Sequence, residues 1–444
     1  MLNNVYNFIY NIDWNTLPIT VQNMSKRCLL DTLGVALSAH TTEAAQIGSK
    51  FAAMNFGPTD QSRARLLGFD GICSMPGSAF SGAILIDSID AHDGHRLTKG
   101  HAGATVLPSL LSMADHLTNN KTSISGKYFL ELLVIGYEVS LRSGIELHKN
   151  TEEYPTSGSW AAIGVAAMGA KLLQLDKTQL NHALGIAEYY APRSPMMRCI
   201  DQPTMVKDGA GWGAFTGVSS VLLAQEGFTG APALCVTQAN EKDYFLRYEL
   251  LEQYFKPWPI CRWAQPAVEA IVKLQKQHSF NVKDIQEIKI STFHNAVRLA
   301  NKAPTSCDEA QYSIGYPVAA MLARGKVSSE ELNKSSLSDP TIRQLQDKIK
   351  LEENQNHTNA FPAKRFASVV ITLQNGDQLQ LENVEARGDA TNPLSDAEIE
   401  TKFMQLTKGT ISSSKQKQLI QLVDNLEKED NINSLLSLVM GKPS

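Results

Sequence analysis

Cysteine is scarce in this sequence, and the cysteines that occur lie far apart. Only six are found among 444 residues, and no two of them form a C-x-x-C pair. Disulfide frameworks need a higher cysteine density, and structural zinc sites and iron–sulfur clusters need closely spaced thiolates. The pattern argues against all three, and scattered free thiols are typical of a protein of the reducing cytoplasm.

A long apolar run and an excess of positive charge are missing as well. The most apolar window, residues 129–141, is interrupted by Glu131 and Glu138, and no stretch approaches the roughly 20 apolar residues that span a bilayer. Lys and Arg total 41 against 45 Asp and Glu, whereas nucleic-acid-binding proteins are usually basic. Residues 1–6 show no cationic segment of a secretory signal. We therefore expect neither a membrane nor a nucleic acid as a partner.

The apolar residues that are present suffice for a large core and follow the helical period in the first part of the chain. Hydrophobic residues make up 43% of the sequence, and its length exceeds that of one typical domain. Small residues within 159–175 predict a central helix that is packed closely on all sides. The helices predicted up to about residue 253 span residues 18–36, 78–89, 107–117, 126–141, 159–175, 180–187 and 211–224.

After residue 253 the pattern becomes mixed. Residues 285–292 alternate apolar and polar side chains, as half-buried strands do. Asn375-Gly376 supplies the positive φ angles of a tight turn after a strand at 366–373, which predicts a hairpin. Helices are predicted at 266–277, 313–323, 329–333 and 339–349, and helical patterns return near the C-terminus. The chain is therefore predicted to be mainly α, with a large all-helical domain and a smaller α+β domain.

The chemically richest stretch is residues 90–104, D-A-H-D-G-H-R-L-T-K-G-H-A-G-A. It contains two aspartates and three of the ten histidines of the chain, namely Asp90, His92, Asp93, His95 and His101. The stretch lies between two predicted apolar helices, and loops held between packed elements are favoured positions for catalytic residues. Histidine titrates near neutral pH, and a neighbouring carboxylate can hold it in one tautomer. A solvated polar loop is the alternative, but the density of titratable groups favours a functional site.

A metal site is a further interpretation of the same stretch. His92, Asp93 and His95 have plausible ligand spacing. The histidines outside the stretch are isolated in the sequence, so that a complete ligand set is not recognisable. We therefore predict that no metal is bound.

Two further segments carry cations beside glycines or aromatic residues. Lys207 precedes the Gly-rich start of the helix at 211–224, and an ammonium at a helix N-terminus suits a carboxylate or a phosphate. Lys256 and Arg262 stand among aromatic residues and prolines where the helical pattern ends, a position where they could hold an anion at a domain cleft. Without a function, Lys207 would be an exposed lysine and the second segment a rigid linker.

Four stretches, spread in order over most of the chain, resemble the MmgE/PrpD family, which includes 2-methylcitrate dehydratase, cis-aconitate decarboxylase and iminodisuccinate epimerase. They are residues 90–108, 206–232, 255–267, and 388–395 with Lys402-Phe403. The resemblance implies a helical domain of residues 1–253 and 391–444 and an α+β lid domain of residues 254–390. It also implies a homodimer, an active site between the domains, and no metal or organic cofactor.

The resemblance also implies particular site residues. They are Asp90 or Asp93 with His101 in the first stretch, Lys207 before the Gly-rich helix, Lys256 in K-P-W-P, and Tyr316 in S-I-G-Y. Three positions depart from the family pattern. The decarboxylases carry a histidine where Tyr154 stands, and two other family histidines are replaced by Gly209 and Gln265. These departures leave the substrate open.

The residues and the resemblance together predict a cofactor-independent lyase that acts on a small polycarboxylate. Elimination of water, as by a 2-methylcitrate dehydratase, is the best single prediction. Decarboxylation of the cis-aconitate type and epimerisation of the iminodisuccinate type are alternatives, because they need the same kind of base. A non-catalytic ligand-binding or scaffold dimer is the competing interpretation from another class of protein.

The predicted lyase reaction assigns roles to the candidate residues. His101 with Asp90 or Asp93 would be one proton-transfer group, and His95, Tyr316 or Lys207 would be the other. The substrate-binding candidates, which would attract or contact the carboxylates, are Lys99, Tyr154, Lys256 and Arg262, with Lys207 as a further cation.

Overall fold

The structure is a computed structural model that describes residues 3–238, 244–299 and 303–441. Its first part is helical, as the apolar spacing predicted. The helices of this part are α1 (Asn3–Asn11), α2 (Ile19–Ala39), α3 (Glu43–Asn55), α4 (Met75–Asp87), α5 (Gly103–Asn119), α6 (Gly126–Lys149), α7 (Ser157–Leu172), α8 (Lys177–Tyr190), α9 (Met197–Asp201), α10 (Ala210–Gln225) and α11 (Leu234–Gln238). Four two-residue strands accompany them: β1 (Ala64–Arg65), β2 (Ile72–Cys73), β3 (Gly94–His95) and β4 (Gln253–Tyr254).

Helix α7 lies at the centre of the helical part, because its small side chains allow its neighbours to approach. All of its residues except Lys171 are buried, and it packs between α6 and α10. A Cβ atom at Gly164 would lie 2.0 Å from Oγ of Ser140 in α6, so the two helices come together where glycine stands. The prediction of a central, closely packed helix is confirmed.

The second part is built on a four-stranded sheet in the order β6-β5-β7-β8. Its strands are β5 (Ile285–Thr292), β6 (Ile349–Glu353), β7 (Ala367–Leu373) and β8 (Gln378–Val384). Strand β5 pairs in parallel with β6 and antiparallel with β7, and β7 pairs antiparallel with β8. Its helices are α12 (Gln265–Gln277), α13 (His294–Val297), α14 (Cys307–Gln311), α15 (Gly315–Arg324), α16 (Pro340–Asp347) and α17 (Gln355–Ala360). The predicted strand at 285–292 and the hairpin are confirmed.

Two predictions for this part were wrong. Residues 329–333 form turns rather than a helix, and the Glu331 carboxylate accepts hydrogen bonds from the backbone N–H and hydroxyl of Ser328. The side chain thus satisfies a local donor in a turn. The helix predicted up to residue 349 ends at Asp347, because Ile349 pairs with Ile288 and begins the edge strand β6.

The buried apolar residues form two separate cores. One core belongs to the helical part and includes residues of the C-terminal helices α18 (Asp396–Leu406), α19 (Ser413–Asp424) and α20 (Asn433–Val439). The other belongs to the sheet and its helices, and it also takes in Met196, Cys199 and Ile200 at α9. Helix α18 packs on α2, so the end of the chain returns to the helical core.

The chain enters and leaves the α+β part at neighbouring positions. The backbone N–H of Phe255 donates to the carbonyl oxygen of Gly388 over 3.0 Å. A single crossing point is the arrangement of a domain inserted into another. It supports boundaries at 253/254 and 390/391, which we propose for the helical domain and the lid. Among the described residues, no helix is long and apolar enough to cross a membrane.

Candidate active site

A narrow cavity lies between the helical domain and the lid, and both contribute to its walls. About 350 Å³ of empty space, including the part open to solvent, lies between the lining side chains. The polar side chains that line it are Asp90, Lys99, His101, Tyr154 and Asp208 from the helical domain, and Tyr254, Arg262, Tyr312 and Arg365 from the lid. A wider groove lies beyond Lys207, but fewer titratable side chains line it. The chemistry of the chain therefore converges on the narrow cavity.

The stretch of residues 90–104, from here on the histidine-rich loop, reaches this cavity through a short strand pair. Gly94 in β3 pairs with Tyr254 in β4, which ties the loop to the first residue of the lid. The backbone N–H of His95 donates to the carbonyl oxygen of Gly100 over 2.9 Å and closes a tight turn. Lys99 lies in this turn with φ of +49°, a conformation that is uncommon for residues other than glycine and is found at functional sites. A Cβ atom at Gly94 would lie 2.5 Å from the Tyr254 hydroxyl oxygen and 2.7 Å from Nδ1 of His101, so only glycine permits this contact.

His101 is held by backbone atoms and by Ser157, not by a carboxylate. Its Nδ1–H group donates to the carbonyl oxygen of Asp93 over 2.5 Å, and because that oxygen can only accept, the proton is fixed on Nδ1 and Nε2 keeps its lone pair. Its backbone N–H donates to Oγ of Ser157, which in turn donates to the Asp208 carboxylate. Burial and the nearby Lys256 ammonium lower the pKa of His101 to about 3. The ring is therefore neutral at pH 7, with one free acceptor.

Asp90 and Lys256 form a buried ion pair beside this histidine. The Lys256 ammonium contacts Oδ1 of Asp90, and both side chains are almost completely buried. Burial, the largest single influence, would raise the pKa of Asp90, but the Lys256 ammonium together with His92, His101 and Lys207 holds that pKa below its usual range. The ring of His92 lies 4.2 Å from that of His101, and its Nε2 lies 3.3 Å from the Asp87 carboxylate. Asp90, Lys256 and the two imidazoles thus form one buried polar cluster.

Lys207 lies next to this cluster, and its donors are already used. Its ammonium donates to the Ser88 carbonyl over 3.1 Å and to Oε1 of Gln311 over 2.7 Å, and it lies 3.3 Å from Asp308. Gln311 also accepts from the backbone N–H of Asp90. An ammonium has three donors, so Lys207 joins the helical domain to α14 of the lid. Its backbone has a φ of +39°.

Two guanidinium groups and one ammonium face the cavity more directly. Arg262 is paired with the Asp389 carboxylate, and its guanidinium carbon lies 4.9 Å from the centre of the Tyr254 ring. The guanidinium of Arg365 faces the same ring at 5.7 Å. The Lys99 ammonium lies 4.8 Å from the centre of the Tyr154 ring, and the Tyr154 hydroxyl donates to the Lys99 carbonyl oxygen.

Four predicted catalytic residues lie outside the cavity lining: Lys207, described above, and Asp93, His95 and Tyr316. The Asp93 carboxylate accepts a hydrogen bond from the Tyr137 hydroxyl over 2.7 Å, and only the backbone of Asp93 reaches His101. The ring of His95 lies 3.4 Å from the Glu249 carboxylate. The Tyr316 hydroxyl donates to the Glu331 carbonyl oxygen inside the lid core. These three side chains are engaged in the protein framework.

The cavity includes residues that the sequence analysis did not select. Asp208 follows Lys207 directly, and Tyr312 lies close to Tyr316, so both stood beside selected residues. Tyr254 opens the aromatic segment around Lys256, where it could have been chosen. Arg365 lies in the segment F-P-A-K-R-F at residues 361–366, and no sequence signal pointed to it.

Asp90, His92 and His101 also satisfy the distance requirement for metal ligands. One ligand atom of each lies within 4.8 Å of the others, and all three residues are buried. The contact of Asp90 with the Lys256 ammonium places a positive charge at that carboxylate already. The three residues thus have the spacing of metal ligands, but the cation that contacts the Asp90 carboxylate is the Lys256 ammonium.

Sequence comparisons relate this chain to known proteins over nearly its whole length. The profile of the MmgE/PrpD N-terminal domain matches residues 4–250, and that of the MmgE/PrpD C-terminal domain matches residues 258–428. The chain is 25% identical to cis-aconitate decarboxylase of Homo sapiens, over 98% of this chain and 93% of the relative. It is 22% identical to cis-aconitate decarboxylase of Aspergillus terreus, over 97% and 94%. It is 24% identical to a probable 2-methylcitrate dehydratase of Saccharomyces cerevisiae, over 81% and 76%.

Proposed function

The chain belongs to the MmgE/PrpD family and is an enzyme of the lyase class, and we propose that it eliminates water from a small polycarboxylate without a cofactor. The observation that carries this proposal is the state of His101. It is a neutral imidazole of fixed tautomer in a cavity whose walls carry Lys99, Arg262 and Arg365. Such a group can take a proton from the carbon next to a carboxylate, and the cations of the wall can bind the carboxylates of the substrate.

His101 is the base in this reaction. Its Nδ1–H bond to the Asp93 carbonyl leaves Nε2 as the proton acceptor. The imidazolium that forms keeps the same backbone bond, and Asp208, which is linked to His101 through Ser157, supplies a nearby negative charge. The base therefore needs no reorientation when it gains the proton.

Tyr254 is our candidate for the acid that protonates the leaving hydroxyl. Its ring lies 6.3 Å from that of His101, and burial raises its pKa above the usual range, so the phenol carries its proton at pH 7. The guanidinium groups of Arg262 and Arg365 beside the ring favour the phenolate that would form. Of the acids considered from the sequence, His95 and Tyr316 are engaged elsewhere, and Lys207 has its donors satisfied.

Decarboxylation is the second candidate reaction. The human and Aspergillus relatives named above are decarboxylases and align with nearly the whole chain. The same base and cations would serve that reaction, since it also passes through charge next to a carboxylate. Against it stands Tyr154, which occupies the cavity wall where the decarboxylases carry a histidine. The family membership favours either lyase, or an epimerase, over the non-catalytic scaffold.

The reaction can be assigned by NMR in D₂O with the purified protein and four substrates: citrate, 2-methylcitrate, cis-aconitate and iminodisuccinate. Dehydration predicts an alkene signal from citrate or 2-methylcitrate and retention of all carboxyl groups. Loss of carbon dioxide from cis-aconitate would instead assign a decarboxylase. Deuterium incorporation without either product would assign an epimerase. If no substrate reacts or exchanges, the lyase proposal is wrong.

We also propose that the protein is a cytoplasmic homodimer. The family resemblance supports the dimer, and the free cysteines support a reducing compartment. Light scattering of the protein as it elutes from a size-exclusion column, at micromolar concentration, tests the dimer. Cell fractionation tests the cytoplasmic location. A monomer of 48.7 kDa, or recovery in an organelle, would contradict the respective proposal.

A further inference from the structure

One cation of the cavity, Arg365, has no carboxylate partner among the described residues. Arg365 lies on the loop between α17 and β7, and only 4% of its surface is exposed. Its Nη2 donates to the Arg96 carbonyl oxygen over 3.1 Å. Its Nε and Nη1 atoms are buried and have no hydrogen-bond partner among the described residues. Two donor nitrogens of this guanidinium, with three N–H groups between them, are therefore unsatisfied inside the protein.

An unpaired buried guanidinium destabilises a fold, because it loses hydration without gaining an anion. Arg262 faces the same Tyr254 ring but has the Asp389 carboxylate as its partner. Arg365 has no carboxylate within ion-pair distance in the described part of the chain, and burial lowers its pKa. Arg365 thus differs from Arg262 in lacking an ion pair with a carboxylate, and a carboxylate ligand could supply that ion pair. Guanidinium groups bind carboxylates through charge-assisted hydrogen bonds, and the Nε and Nη1 donors of Arg365, which lie on different edges of the group, are free to make them.

A second uncompensated cation of the cavity wall, Lys99, belongs to the helical domain. The Lys99 ammonium makes no ion pair with any described residue and lies over the Tyr154 ring. Burial and the positive charge of Arg365 lower the pKa of Lys99, because the two cations repel each other. An anion between them would remove that repulsion. The uncommon backbone conformation of Lys99 keeps this residue in the turn that faces the cavity.

The position of Arg365 relative to the base fits a small molecule. The guanidinium carbon of Arg365 and the ring of His101 lie 5.7 Å and 6.3 Å from the centre of the same Tyr254 ring. Both side chains also line the same cavity, so that one small polycarboxylate bound there would meet both. We propose that Arg365, together with Lys99, binds a substrate carboxylate other than the one next to the abstracted proton. This inference rests on the proposed function and adds the reason why the substrate must carry more than one carboxylate.

The same contact would couple substrate binding to the position of the lid. Arg365 donates to the Arg96 carbonyl in the histidine-rich loop, and Arg96 donates back to the Ala363 carbonyl over 3.2 Å. A carboxylate held by Arg365 of the lid and Lys99 of the helical domain would connect the two domains in addition to these hydrogen bonds. The ligand should therefore raise the unfolding temperature of the protein through both cations.

The test uses propane-1,2,3-tricarboxylate, which has neither a hydroxyl to lose nor a double bond. Its Kd is measured by calorimetry, and the unfolding temperature is measured with and without it, for Arg365→Gln, Arg365→Lys and Lys99→Gln. Arg63→Gln, which removes an exposed arginine, is the matched control. We expect Arg365→Gln to weaken binding about 10- to 100-fold, as for loss of a charged hydrogen bond, and Arg365→Lys to restore part of it. Without ligand, Arg365→Gln should unfold at the same temperature as the wild type or higher.

The outcomes separate this inference from the proposed function. A Kd of Arg365→Gln equal to that of Arg63→Gln overturns the inference, and so does a lower unfolding temperature with unchanged Kd, which would show a structural role. In turnover assays the variant should raise KM more than it lowers kcat. If the wild type binds the tricarboxylate but turns over none of the four substrates, the lyase proposal fails while the carboxylate site stands. A wild type that binds no polycarboxylate overturns both.

Discussion

The Nδ1 atom of His101 lies 2.5 Å from the backbone carbonyl oxygen of Asp93. The carboxylate of the same aspartate points away and accepts from the Tyr137 hydroxyl. The two residues thus interact through the backbone of one and the side chain of the other. This hydrogen bond fixes the tautomer of the imidazole, whereas burial and the surrounding charges set its pKa.

Replacement of His101 by asparagine should remove the base and keep the fold. The Asn amide can donate to the Asp93 carbonyl in place of Nδ1–H, but it has no basic nitrogen that could accept a proton as Nε2 of His101 does. We expect kcat to fall about 10²-fold or more, with an unfolding temperature close to that of the wild type. His278→Asn, at an exposed position, is the control. A folded His101→Asn protein with normal kcat would transfer the role of base to His92.

Tyrosine-to-phenylalanine variants distinguish the acid from a structural hydroxyl. Tyr254→Phe keeps the ring that faces the arginines and removes the proton donor, so kcat should fall by about 10²-fold. Tyr316→Phe loses the hydrogen bond to Glu331 in the lid core, which should lower the free energy of unfolding by about 1 kcal/mol and leave kcat unchanged. If Tyr312→Phe loses activity and Tyr254→Phe does not, Tyr312 is the acid.

The stability of the protein should depend on pH through Asp93. Burial raises the pKa of its carboxyl from 3.8 to about 7, so that between pH 4 and 7 the native carboxyl keeps a proton that the unfolded chain has lost. Its contribution to stability is complete below pH 4 and is lost as the pH rises through 7. Asp93→Asn should therefore be more stable than the wild type at pH 8, and the difference should shrink toward pH 5. Urea unfolding at four pH values tests this, with the exposed Asp60→Asn as the control, and a difference that is constant with pH would contradict it.

The buried pair of Asp90 and Lys256 should show strong coupling. Asp90→Asn leaves the Lys256 ammonium buried without its anion, which should cost about 3 kcal/mol or more of unfolding free energy. The double variant Asp90→Asn with Lys256→Met removes both charges and should recover part of that loss. A double-mutant cycle in urea measures the coupling. Strictly additive effects would show that the contact contributes nothing.

Removal of metal ions should leave the activity intact. The atoms of Asp90, His92 and His101 are close enough to hold a metal ion, but the Lys256 ammonium already contacts the Asp90 carboxylate. We expect kcat to be unchanged after prolonged dialysis against a chelator. Activity that disappears on chelation and returns with an added divalent ion would overturn this.

The sequence by itself determined the elements and the segments where chemistry would be found. Helical spacing located most of the long helices, the alternation at 285–292 located β5, and Asn375-Gly376 located the hairpin, because these patterns are local consequences of which face is buried. The density of His and Asp residues identified the stretch at 90–104, because these residues are close together in the chain and their clustering is visible in the sequence.

Only the tertiary structure decided which of these residues face the cavity. Pairing of Gly94 with Tyr254 orients the loop, so that His101 faces the cavity while His95 lies beside Glu249. Arg365 reaches the cavity from the lid and carries no local signal, because its unsatisfied donors arise from long-range packing that brings the guanidinium there without an anion. Sequence patterns record local burial, whereas the partners of a buried charge are set by how distant segments pack.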